Sequence, residues 1–179
     1  MELKLTREDT LERLLKSYEA YYDITMIEDG QPYLKALCEF YEHNQKYVIS
    51  KKAELWSADG EEFLYLFEVP HLTEETYSQC KTYAYEDGMK RLHIGPGHMY
   101  SYITAVFVCD SCTADAAAAL KKSRIHKSFH FSLHGWMDYR TVVISGENGK
   151  IEGNRAGHCV VKIMKKVLYS KSKKGEILL

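Results

Sequence analysis

The pattern of apolar and polar positions changes period along the chain, and each change marks an element. Leu11, Leu14, Leu15, Tyr18 and Tyr22 recur at three-and-four spacing and predict an amphipathic helix from Thr6 to about Tyr22. Thr6 can cap it, with Asp9 three residues on completing a capping box. The segment ITMIEDGQP reads as a connection that turns at Asp29-Gly30. From Tyr33 the period is two: Leu34, Ala36, Cys38 and Phe40 alternate with Lys35, Glu39 and Tyr41, as in a strand. His43-Asn44-Gln45 reads as a turn, Tyr47 to Trp56 as a second strand, and Ser57-Ala58-Asp59-Gly60 as a hairpin turn. Glu62 to Val69 is apolar on both faces and therefore predicted to be a central strand. Pro70 has no N–H and stops it.

Thr73 opens a long helix reaching about Leu92, with Glu74 and Glu75 well placed against the helix dipole. Tyr100 to Cys109 is a fourth strand, and Thr113 caps the alanine-rich helix ADAAAALKK. Phe129, Phe131 and Leu133 alternate with His130 and Ser132 and predict a fifth strand; Tyr139 to Ser145 predicts another. A last helix spans about Asn154 to Tyr169. The expected fold is a single α/β domain over 1–179, with 1–5 and 171–179 frayed. Its mixed sheet combines a three-strand meander with a parallel crossover and is flanked by helices. From Thr6 to Asp110 this order resembles the core of restriction-endonuclease-like (PD-(D/E)xK) domains. Likeness of order does not carry activity.

Composition narrows the partners. The chain has 179 residues and a formal net charge of −1, so no large field recruits nucleic acid or a membrane surface. No run of apolar residues is long enough to span a bilayer. The charged N-terminal stretch has no signal-peptide core. Five cysteines at spacings that suggest no disulfide framework point to a reduced, cytoplasmic setting. Self-association is left open.

The endonuclease likeness can be tested by counting. Such sites hold Mg²⁺ between two acids on neighbouring strands, beside a lysine that activates water. In YLFEVPHL the strand-end acid is Glu68, but Pro70 stands where the lysine should be. A two-residue turn at Asp59-Gly60 places Lys51 opposite Glu68, and a four-residue loop places Ile49 there. Glu54, the other available carboxylate, then points to the opposite face. Glu68 is therefore expected to be a strand-end carboxylate paired with a nearby cation. The nuclease alternative rests on Glu54 and Glu68 with Lys51 and Mg²⁺.

Other constellations are weaker. Cys109-Asp110-Ser111-Cys112 lies between a strand and a helix, as thioredoxin-like motifs do. Its cap, Thr113, falls after both thiols, which weakens a thiol-redox reading of Cys109 and Cys112. His126, His130 and His134 recur every four residues. If they lie on a strand, His130 and His134 stand ~13 Å apart and share no ion. In open α/β sheets ligands bind beyond the carboxyl ends of parallel strands. That rule selects Glu68 and His71 after the third strand, and Cys109 and Asp110 after the fourth, as ligand-binding candidates, with no metal among them.

The stretches YVISKKAELW, YAYEDGMKRL, HMYSYITAVFVCD and KSFHFSLHGWMD together resemble a family of bacterial conserved hypothetical proteins known as a domain of unknown function. The resemblance covers about Tyr33 to Ser145 and implies a bacterial, cytoplasmic protein; it implies no activity. The expected function is a non-catalytic binding or interaction module. The divergent metal-dependent nuclease is the alternative, and a thiol-redox protein the weaker one.

Overall fold

A computed structural model of the chain describes residues 5–47 and 54–169. The first helix, α1 (Arg7–Tyr18), starts as predicted: Thr6 accepts from the Asp9 amide and Asp9 accepts from the Thr6 amide, closing the capping box. It ends at Tyr18 rather than Tyr22, and Tyr22 turns to pack on Phe40 at 5.7 Å between ring centroids. The stretch expected to be a connection contains a short edge strand, β1 (Asp23–Met26). Four residues, mostly exposed, are too few to show a period.

The largest correction concerns the hairpin. β2 (Leu34–Tyr47) and β3 (Glu54–Leu72) pair antiparallel without a break at either predicted turn. His43 stands opposite Asp59, and Glu42 opposite Gly60, so both sets of turn-forming residues lie inside the ladder. The connection falls within 48–53, outside the described residues, as do Ile49 and Lys51. The meander of three strands is present, but its members are β1, β2 and β3. Gly60 has a further reason to be in a strand. A Cβ there would collide with the ring of Tyr100, which crosses β3 at that point.

From β3 the chain alternates. α2 (Glu74–Arg91) is capped by Thr73, and α3 (Ala114–Lys122) by Thr113, both as predicted. They lead into β4 (His98–Cys112), then β5 (His126–Ser128), β6 (Trp136–Ser145), β7 (Ile151–Gly153) and α4 (His158–Tyr169). The sheet order is β1-β2-β3-β4-β6-β5, with β7 also pairing β6. β3, β4 and β6 are mutually parallel and the other pairs antiparallel. Both crossovers advance in the same direction across the sheet, which puts α2 and α3 on one face.

The central strands are buried on both sides, which is why Glu62 to Val69 shows no alternation. Phe63, Tyr65 and Phe67 join Ile103, Ala105 and Phe107 under α2 and α3. Leu64, Leu66, Val106 and Val108 face α1 and α4. Phe67 and Phe107 stack at 5.1 Å, with Tyr77 of α2 edge-on to Phe107.

Two further predictions are corrected. The last helix begins at His158, because Asn154 closes the turn that precedes it: its side chain accepts from Gly157 and Thr141 and donates to the Ser123 and Tyr139 carbonyls. The predicted fifth strand at Phe129–Leu133 is a turn, with His130, Phe131 and Ser132 all at positive φ. Phe131 and Leu133 are 97% and 72% exposed, so the apolar alternation there does not report burial. The turn also stacks the rings of His130 and His134 at 4.8 Å, far closer than a strand would allow.

Candidate ligand-binding site

At the carboxyl ends of the parallel strands lies an open cavity of about 580 Å³ whose wall includes Thr6, His71, Asp110 and Ser111. α1 begins over these strand ends, and its first residue, Arg7, reaches both acids: Nη1 lies 3.2 Å from Glu68 Oε1 and Nε 2.9 Å from Asp110 Oδ1. Lys35 of β2 takes the other oxygen of Glu68 at 3.1 Å. Glu68 has local cations, as expected, but it is not at a strand end: β3 runs on past Pro70 to Leu72, because His71 and Leu72 still pair with β4. The cations are Arg7 and Lys35 rather than Lys51, because the register places Glu68 beside Tyr33, whose carbonyl accepts from its amide. His71 is hydrogen-bonded to Ser111. The structure therefore brings Glu68 and Asp110 together on one guanidinium and pairs His71 with a neighbouring serine. Glu54 opens β3, but its side chain lies outside the described part, as does Lys51. Among the described residues no three metal-ligating side chains converge.

Cys109 and Cys112 are both free. Burial pushes the Cys109 thiol up to about 12, and Cys112 is raised for the same reason. A thiol-redox motif shifts the other way, towards the thiolate.

The chemistry that the sequence did not disclose lies in the middle of β3, where Glu61 and Glu62 are both buried and face opposite sides of the sheet. On the α2 side, Glu61 accepts from the His93 amide at 2.9 Å and from Ser101 Oγ at 2.7 Å. His93 Nδ1 stands 2.8 Å from its other oxygen. Ser101 in turn meets His98 Nε2 at 2.7 Å, and His98 Nδ1 donates to the His134 carbonyl. This chain of contacts ties β3, β4 and the turn before β6 together below a cleft of about 450 Å³.

On the other side, Glu62 accepts from Tyr22 Oη at 2.7 Å and Thr104 Oγ1 at 2.6 Å, and Arg140 Nη1 stands 4.0 Å away. Burial, reinforced by Glu62, raises the Tyr22 hydroxyl, and burial raises that of Tyr18, so both stay protonated as donors. The Arg140 guanidinium carbon sits over the Tyr102 ring, 3.1 Å from its centroid. Tyr102 belongs to an aromatic cluster with Tyr100 and Trp136.

Above Glu62 and Arg140, α1 and α4 enclose a cavity of about 430 Å³. Its walls are mainly apolar: Tyr21, Tyr22, Phe40 and Leu64 on one side, Val160, Ile163, Met164 and Val167 on the other. Two buried donors in this wall have no acceptor, the Arg140 Nε and the Tyr18 hydroxyl. An apolar pocket with a few convergent polar groups is the usual form of a small-molecule site.

The sequence did carry part of this signal. In WMDYR, Trp136, Asp138 and Arg140 alternate with the buried Met137 and Tyr139, so the polar and aromatic residues share one face. Nothing local indicated that Glu62, Tyr22 and Arg140 would meet. The sequence model of the domain-of-unknown-function family DUF8052 matches residues 6–166. The chain belongs to that family. No curated protein and no solved structure matches it. The span matched to DUF8052 runs from the α1 cap into the last turns of α4, so it includes both helices that wall the apolar cavity. Among the described residues no helix is long and apolar enough to cross a membrane.

Proposed function

We propose that the cavity between α1 and α4 of this DUF8052 protein is a non-catalytic binding site for a small, largely apolar molecule that carries a hydrogen-bond-accepting oxygen, a carboxylate or carbonyl. The observation that carries the reading is the pair of unsatisfied buried donors, Arg140 Nε and Tyr18 Oη, in the wall of a cavity otherwise lined by rings and aliphatic side chains. A buried donor without an acceptor costs about 1–3 kcal/mol, so a ligand oxygen that satisfies either one is rewarded. Arg140 is held for this role by Tyr102 below and Glu62 beside it. Five free cysteines support a reducing, cytoplasmic location, and the resemblance described above supports a bacterial source. The chain 1–179 is taken as one domain.

The nuclease alternative gains no support from the described residues, since Glu68 is already engaged by Arg7 and Lys35. The redox alternative gains none from thiols that burial raises. The test is a thermal-shift and fluorescence titration with benzoate, 2-naphthoate and octanoate. Saturable stabilisation of the wild type is expected, with at least tenfold weaker binding in Arg140→Ala and no change in Glu68→Ala. Equal responses in wild type and Arg140→Ala would sink the proposal. Loss in Glu68→Ala alone would move the site to Glu68.

A further inference from the structure

We propose that Ser128, His126 and Asp138 form a nucleophile, base and orienter that cleave esters carrying an anionic group, at a site separate from the apolar cavity. β5 is only three residues long, but it pairs with β6 so that His126 stands opposite Asp138. Ser128, two residues on, projects from the same face as His126. His126 Nδ1 lies 2.7 Å from Asp138 Oδ1, and His126 Nε2 lies 3.3 Å from Ser128 Oγ. The carboxylate accepts, so Nδ1 carries the proton and Nε2 presents its lone pair to the serine hydroxyl. That is the connectivity by which a serine is activated in acyl transfer, recognised by geometry rather than by sequence position. An Asp–His pair alone on an edge strand is an ordinary surface contact; the aligned serine on the free nitrogen distinguishes this one. Hydroxyl-to-base distances are commonly looser before substrate binds.

The surroundings indicate the substrate class. His126 and Asp138 form part of the wall of a cavity of about 430 Å³, shared with Arg124 and Arg155. Both arginines are exposed, and neither has a carboxylate partner among the described residues. Two guanidinium groups that share a cavity with the base and its orienter suit a substrate with a carboxylate or phosphate near its ester bond. The His126 side chain is 52% exposed, so substrate can reach the base.

The reaction balances with water as the only co-reactant. Ser128 Oγ attacks the acyl carbon while His126 Nε2 takes its proton. The ester C–O bond then breaks, and the imidazolium returns that proton to the departing alcohol. A water molecule, deprotonated by the same nitrogen, releases the acid and restores the serine. Asp138 is a positioning residue: it fixes the tautomer of His126.

The experiment uses the full chain with a fluorophosphonate label and two aryl esters, the anionic 4-acetoxybenzoate and neutral phenyl acetate. Expected results are labelling at Ser128, loss of label and at least 100-fold loss of turnover in Ser128→Ala and His126→Ala, and preference for the anionic ester that disappears in Arg124→Ala/Arg155→Ala. Asp138→Asn should lower kcat with KM unchanged. These surface substitutions leave the core intact, so circular dichroism should not change. Wild-type hydrolysis equal to that of Ser128→Ala, or absence of label, overturns the site. Labelling at Ser128 without anionic preference overturns the substrate class.

Discussion

Residue by residue, the environment separates side chains that look alike in the sequence. Five cysteines are indistinguishable by composition, yet burial raises Cys38 and Cys109 to about 12 and Cys80 to about 11, while Cys159 lies exposed at the start of α4. Ellman's reagent at pH 8 should therefore titrate one fast thiol, lost in Cys159→Ser, with the half-buried Cys112 slower and the other three released only by denaturant. Two or more fast thiols would contradict the packing around β3 and β4. The acids divide in the same way. Glu61, Glu62 and Glu68 lie on one strand, but each is held by different partners: His93 and Ser101, Tyr22 and Thr104, Arg7 and Lys35. No count along the chain could assign those partners, because each comes from another element.

Within elements, local chemistry is legible wherever the interaction is local. The caps Thr6, Thr73 and Thr113 each accept from a backbone amide three residues on, as the sequence predicts. The end of α2 adds a contact that the helix alone does not specify. Asp87 accepts from Arg91 at 2.7 Å within the helix and from Tyr65 Oη at 2.7 Å in the sheet. Burial raises its pKa, but the hydrogen bonds from Arg91 and Tyr65 outweigh that and leave it below the usual value. A depressed carboxylate stabilises the fold above the unfolded value of about 3.9 and loses that contribution as pH falls through the folded value. Urea unfolding should thus show wild type more stable than Asp87→Asn at pH 7, by less than about 1 kcal/mol for so exposed a pair. The difference should shrink as pH falls below about 3.9. A gap that does not narrow with falling pH would mean that Asp87 acts through packing. The hairpin shows the opposite case: polar residues that suit turns were drawn into a ladder because a partner strand satisfied their backbone groups.

For the whole molecule, stability rests on a sheet packed on both faces, with one contiguous core under α2 and α3 and another under α1 and α4. Phe107 sits at the centre of the first, stacked on Phe67 and touched by Tyr77. Phe107→Ala should cost about 3–5 kcal/mol, whereas truncation of the 97% exposed Phe131 should change stability little. Chemical denaturation of both variants checks this, and a loss below about 1 kcal/mol at Phe107 would contradict a tightly filled core. By itself the sequence determined the helices α1, α2 and α3 with their caps, the central placement of the strand around Phe63–Val69, and the parallel crossover through α2. Each of those depends on neighbours a few positions apart or on continuous apolarity. Only the tertiary structure decided the hairpin register, the turn at His130–Ser132 and the meeting of Tyr22, Glu62, Thr104 and Arg140. Those residues are brought together by strand pairing and helix packing between distant segments, and no local period encodes such a distance.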